Sequence, residues 1–182
     1  MSKISLFQQH KETYSHGCGS AYCGAATKIV LCRGKIPCDV LFCGEAPGES
    51  EDTLGVPFVG PAGKLLDQII IAAKLHEKRL AFTNLVGCFP KTEEGEDKFE
   101  PDKKAIDCCH GRLGNLIQIA SPKVIVWVGG VAKKHGPKTI GTTEIKQFSI
   151  IHPAALLRAM FAQRDILIQQ AILILDSIHE EF

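Results

Sequence analysis

Apolar positions along the 182-residue chain fall into blocks of two periods. Asp39-Val40-Leu41-Phe42-Cys43 is a short, nearly continuous apolar run stopped by Gly44, and it predicts a buried strand. Leu80 to Val86 predicts a second strand. Val124 to Val128, closed by Gly129-Gly130, predicts a third, and Phe148 to Ile151 a fourth. Between them the period changes. Leu65, Leu66, Ile69, Ile70 and Ala73 recur at helical spacing behind Pro61-Ala62, predicting a helix from Pro61 to Leu75. Ile106, Leu113, Ile117 and Ile119 predict another over Lys103 to Ala120, and Arg164 to Ile178 a closing amphipathic helix. Residues 1–26 read as polar and irregular, and residues 89–102 as a charged, breaker-rich loop. Strands alternating with helices imply a parallel sheet covered on both faces. The expected fold class is therefore α/β: a single domain over residues 1–182, built as a three-layer α/β/α sandwich with a four-stranded parallel central sheet.

In such sheets chemistry gathers beyond the carboxyl ends of the strands. Those ends are Gly44-Glu45-Ala46-Pro47-Gly48, Thr83-Asn84-Leu85, Gly129-Gly130 and His152-Pro153, and three of the four carry polar groups. Composition adds boundaries. Hydrophobic residues at 45% and charged residues at 23% describe a folded chain rather than a disordered one. A net charge of +1 removes bulk basicity as a sign of nucleic acid, so any such contact needs a local patch. The eight cysteines are the unusual number. The first residues lack the long apolar stretch of a signal peptide, and no apolar run approaches a membrane span. The expectation is an intracellular protein of cytoplasm or nucleoid, away from membranes, whose clustered thiols bind metal or pack as small hydrophobes.

Gly44-Glu45-Ala46-Pro47-Gly48-Glu49-Ser50-Glu51-Asp52, followed by Gly55-Val56-Pro57-Phe58-Val59-Gly60-Pro61-Ala62-Gly63, resembles the signature of family 4 uracil-DNA glycosylases, which carry an iron–sulfur cluster. Thr83-Asn84-Leu85-Val86-Gly87-Cys88 resembles the second-strand motif of that family. Pro122 to Val126 with Gly129 and Ala132 resembles the third, and His152-Pro153-Ala154-Ala155-Leu156-Leu157-Arg158 the second catalytic motif. The resemblance runs from about Cys18 to the C-terminus. It implies a monomeric enzyme that removes uracil from single- or double-stranded DNA. It also implies a turn of Gly44, Ala46, Pro47 and Gly48 whose amides face the base, with Phe58 stacking on it and Asn84 reading its edge. An aromatic face accepts a flat base, and an amide matches the O4 and N3–H edge of uracil. His152 is then the donor to O2 of the departing uracil. Leu156 is the apolar wedge, Arg158 a phosphate or carboxylate partner, and Lys133 and Lys134 part of a small basic rim with His135 and Lys138. Better-known uracil glycosylases carry Asp where this chain has Ala46. Water activation therefore falls to Glu45 first and Glu51 second, or leaving-group stabilisation carries the reaction.

The same resemblance implies a structural 4Fe–4S cluster held by Cys18, Cys23, Cys88 and Cys108, with residues 1–26 as the N-terminal cluster-binding segment. Cys109 competes with Cys108, because neighbours on a helix point about 100° apart and only one can face the cluster. A four-thiolate zinc site is the rival reading of the same residues. Cys43 reads as a buried strand residue, and Cys32 and Cys38 have no evident ligand role. Three departures from the family pattern stand out. The first two cysteines are spaced C-x4-C rather than C-x2-C, the loop after Cys88 carries Lys91 and several acids, and the segment from Gly130 to His152 is short. Two other functions share these features: a non-catalytic relative that binds DNA or uracil, and an electron-transfer iron–sulfur protein.

Overall fold

The computed structural model describes residues 1–18, 28–90, 100–101, 103–141 and 144–182. Its centre is a sheet of strands β1 (Arg33–Gly34), β2 (Val40–Gly44), β3 (Leu80–Asn84), β4 (Val124–Val128) and β5 (Lys146–Ile150), in the order β1-β3-β2-β4-β5. The last four run parallel, as the alternating pattern predicts. The sheet is nonetheless mixed and five-stranded, because the two-residue β1 adds antiparallel to the edge of β3. Two residues are too few to show a period. Arg33 earns its place there by side-chain contacts, its guanidinium lying 3.8 Å over the Phe82 ring and pairing with Asp67 at 2.7 Å.

Alternation along the central strands divides the core. Val40, Phe42, Phe82, Val124, Val126 and Val128 face one layer, and Leu41, Cys43, Ala81, Ile125 and Trp127 face the other. Helices α3 (Pro61–Ala72), α7 (Pro153–Arg158) and α8 (Phe161–Asp176) cover the first layer, and α4 (Lys103–Ala120) packs on the second. Short helices α2 (Glu49–Leu54), α5 (Gly130–His135) and α6 (Pro137–Ile140) complete the strand exits. The helix expected over Lys103 to Ala120 forms with those bounds. The fourth strand begins two residues before the expected Phe148, since Lys146 and Gln147 sit on an exposed edge and carry no apolar signal.

The N-terminal segment is not irregular throughout. Lys3–Thr13 forms helix α1, capped by Ser2, whose hydroxyl accepts from the Ser5 amide at 3.1 Å. Only His10 of this helix is buried, so no apolar stripe marks it in the sequence. It is held on α4 by polar contacts: Lys3 Nζ donates to Gln118 O at 2.8 Å, and Asn115 Nδ2 to the Tyr14 hydroxyl at 3.0 Å.

Candidate active site

The parallel register ends β2 and β3 together, pairing Gly44 with Asn84. That pairing places a glycine beneath the two side chains expected to meet a base. A Cβ on Gly44 would stand 2.5 Å from Asn84 Oδ1 and 2.6 Å from Phe58 Cζ, so the absent side chain is what lets ring and amide meet there. Phe58 holds a left-handed backbone, φ 57°, which is costly for an aromatic residue. Close packing maintains it. Helix α3 presses Gly63 onto the Phe58 backbone so tightly that a Cβ at Gly63 would collide with its carbonyl. Phe58 is buried against Phe82, ring centroids 6.0 Å apart, and still lines a cavity of about 340 Å³ beyond the strand ends. Ala46, Pro47, Gly48 and Asn84 line the same cavity. Its volume lies at the lower end of the range for small-ligand sites, about 300–1,000 Å³.

His152, Glu45 and Glu51 also face this cavity, but their surroundings differ. His152 caps α7, and its Nδ1 accepts the Ala154 amide proton at 3.1 Å, which leaves the proton of a neutral ring on Nε2. Burial lowers its pKa below the usual histidine value, with Arg158 adding to the fall and Glu51 opposing it. Gly129, at φ 99°, makes room for the imidazole: a Cβ there would sit 3.0 Å from His152 Cβ. Burial raises the Glu45 carboxyl to about 7, with Glu100 contributing. The Glu51 carboxylate is taken up by backbone donors. Oε1 accepts from the Val59 and Gly60 amides, each at 2.8 Å, and Oε2 from the Gly48 amide at 3.1 Å. It therefore ties the Phe58 loop to the turn after β2, and among the described residues lining the cavity Glu45 is the other carboxylate, with no such backbone ties.

The rim departs from expectation at one position. Leu156 is fully buried in the core layer under α3 and α8, so it has no surface to offer a DNA stack. The short α7 turns Leu156 inward because it packs against the sheet, and the exposed apolar residues follow it. Leu157 is 40% exposed, and Met160 and Phe161 are each 81% exposed. Arg158 lines the cavity from the surface. Lys133 and Lys134 are exposed on α5, which follows β4 at the same end of the sheet but does not line the cavity.

The thiols gather on the opposite layer. Cys18 Sγ lies 3.9 Å from Cys109 Sγ, and the Gly87 amide hydrogen-bonds the Cys109 thiol beside buried Cys88. Cys108 is exposed, and it is Cys109 that faces Cys18. The buried stripe of α4 explains it: Ile106, Cys109, Leu113, Leu116 and Ile117 share one face, and Cys108 falls off it. Among the described residues no three His, Cys, Asp or Glu side chains close into a metal-binding group, and Cys23 lies outside them. The soft donor pair of Cys18 and Cys109 fits an iron–sulfur or zinc site by its chemistry, and Cys88 follows Gly87 in the chain. Cys43 is buried in β2 as the pattern predicts, and Cys32 and Cys38 are partly and fully buried.

Sequence reasoning missed Arg112. This residue is 1% exposed, and its guanidinium reaches the exit of β3. The signal was available, since an arginine one turn beyond Cys109 interrupts the apolar stripe of α4.

The family model described as the uracil DNA glycosylase superfamily matches residues 33–175. A type-4 uracil-DNA glycosylase of Sulfurisphaera tokodaii is 37% identical over 126 residues, which are 69% of this chain and 53% of that protein. One from Archaeoglobus fulgidus is 33% identical over 106 residues, 58% of this chain and 51% of that protein. One from Thermotoga maritima is 31% identical over 145 residues, 72% of this chain and 73% of that protein. The chain thus spans about half the length of the first two relatives and nearly three quarters of the third.

Proposed function

The chain belongs to the uracil DNA glycosylase superfamily, and we propose that it hydrolyses the N-glycosidic bond of deoxyuridine in DNA, releasing uracil and leaving an abasic site. The observation that carries this reading is the convergence of Phe58, Asn84 and His152 on one cavity at the carboxyl ends of the strands. A flipped base stacks on Phe58 while the Asn84 amide pairs with O4 and N3–H, an edge cytosine does not present. As the C1′–N1 bond breaks, its electron pair moves onto the uracil ring. Neutral His152 then donates Nε2–H to O2, where the charge collects. Water adds at C1′. Glu45, with a pKa of about 7, orients that water and accepts its proton. Glu51 contributes by holding the Phe58 loop in place.

DNA itself is met at the rim. Arg158 is close enough to the cavity to pair with a phosphate beside the flipped nucleotide, and Lys133 and Lys134 add positive charge along the same edge. Leu157, Met160 and Phe161 supply the exposed apolar surface that fills a gap in the base stack. In this reading Cys18, Cys88 and Cys109, with Cys23 as fourth thiolate, would hold an iron–sulfur cluster, and zinc would be the alternative occupant. When bound, either group supplies a crosslink among the N-terminal segment, the loop after β3 and α4.

A second reading is favoured by Ala46, which leaves the turn without the acid found in better-known relatives: the chain binds uracil in DNA without releasing it. One experiment separates the two. Oligonucleotides carrying a single uracil or a single cytosine are incubated with the protein, then treated with alkali. Cleavage at uracil alone supports the glycosylase. Retention of uracil-DNA with no alkali-labile site supports the binding protein.

A further inference from the structure

Arg112 is a buried cation with an uncommon set of neighbours. Its Nη2 donates to the carbonyl oxygens of Asn84 at 2.6 Å and Leu85 at 3.0 Å, and its Nη1 to Thr83 Oγ1 at 3.4 Å. These oxygens lie where β3 leaves the sheet. The amides of the same stretch are held from β2, Leu85 N by Gly44 O at 2.9 Å and Val86 N by Glu45 O at 3.2 Å. The backbone that carries Asn84 is therefore gripped from both sides, and the Arg112 fork supplies one of them. Lysine, a point charge on a flexible stem, cannot reproduce a planar fork across three oxygens.

The charge needs an answer as well. None of the ion pairs between described residues includes Arg112. Among the described residues the titratable groups that feel its charge are thiols and one histidine: Cys32 and Cys43 from the strand side, Cys109 one turn away on α4, and His10 from α1. Burial, with Arg112 adding to it, lowers His10 to about 4, so that ring is neutral and offers no negative charge. Cys109 is the neighbour whose thiol meets a second one, Cys18. A thiolate-held cluster or zinc there carries net negative charge next to the guanidinium.

We infer that Arg112 is a positioning residue that joins the thiol site to base recognition: its fork fixes the backbone of Asn84, and the negative charge gathered at Cys18 and Cys109 balances it in the interior. The inference rests on the glycosylase reading for its kinetic half and on metal at the thiols for its charge half.

The test uses the metal-loaded protein with Arg112→Lys and Arg112→Gln. Arg112→Lys keeps the charge and loses the fork. It should retain its metal and its KM for uracil-containing DNA while kcat falls by about 10- to 100-fold. Arg112→Gln removes the charge too, and should release metal to a colorimetric chelator about tenfold faster than Arg112→Lys. Thr83→Val, which removes one contact of the fork, should lower kcat in smaller measure at unchanged KM, and it serves if Arg112→Lys does not fold. An unchanged kcat in Arg112→Lys, or in Thr83→Val where that variant stands in, overturns the positioning role. Equal metal release from the two arginine variants, or no metal in the wild type, overturns the charge link. A wild type that releases no uracil refutes the glycosylase reading instead, an outcome distinct from an active wild type matched by its Arg112 variants.

Discussion

Glu45 carries the most informative charge in the cavity, because burial and Glu100 raise its carboxyl to about 7. Below that pH the group is mostly protonated and cannot take a proton from water. The sign follows directly: the rate of uracil release should climb as pH rises toward about 7 and level off above it, and Glu45→Gln should flatten the profile. A pH–rate series under single-turnover conditions checks this. His152 does not produce the same slope. Burial lowers its pKa below the usual histidine value, so it titrates at lower pH than Glu45. Phe58, Asn84 and His152 are legible as candidates through the family resemblance, Asn84 and His152 at strand exits and Phe58 on the loop before α3. What the motif could not say is how they are held. The backbone ties of Glu51 and the fork of Arg112 link residues far apart in the chain, and no local pattern encodes such contacts. Cys108 and Cys109 compete in the sequence, and the period of the α4 stripe turns Cys109 inward and leaves Cys108 exposed.

Among the elements, α3 does more than cover the sheet. Its Gly63 receives the Phe58 backbone at a distance no Cβ allows, and the loop from Val56 to Gly60 owes its left-handed turn to that approach. Gly63→Ala should therefore destabilise the fold by about 1–3 kcal/mol, the usual cost of overpacking, and displace the Phe58 ring. Urea denaturation reads the first effect, and weaker binding of free uracil reads the second. The long helices and central strands were legible because they bury continuous stripes. The elements that were not legible bury little. Helix α1 hides only His10, β1 is two residues long, and β5 opens with exposed Lys146 and Gln147.

Viewed as a whole, the molecule keeps the cavity and the buried thiols apart. The cavity opens at the carboxyl ends of β2 and β3, while the thiols lie between α4, the loop after β3 and the N-terminal segment. Near-neutral net charge is compatible with this plan, because a few exposed basic groups such as Arg158, Lys133 and Lys134 need no excess of charge over the whole chain. If metal at the thiols holds the N-terminal segment to the body, Cys109→Ala should lower Tm by more than about 5 °C, and exposed Cys108→Ala by no more than about 1–2 °C. Thermal unfolding of the two variants side by side distinguishes them. The central claim concerns the cavity, and its most direct measurement is single-turnover release of labelled uracil from a single-stranded oligonucleotide by wild type and His152→Ala. The account predicts uracil release by the wild type and a rate about 10²- to 10³-fold lower for the variant, as expected when one donor to a developing anion is lost. Release by His152→Ala at the wild-type rate, or no release by the wild type, would contradict it.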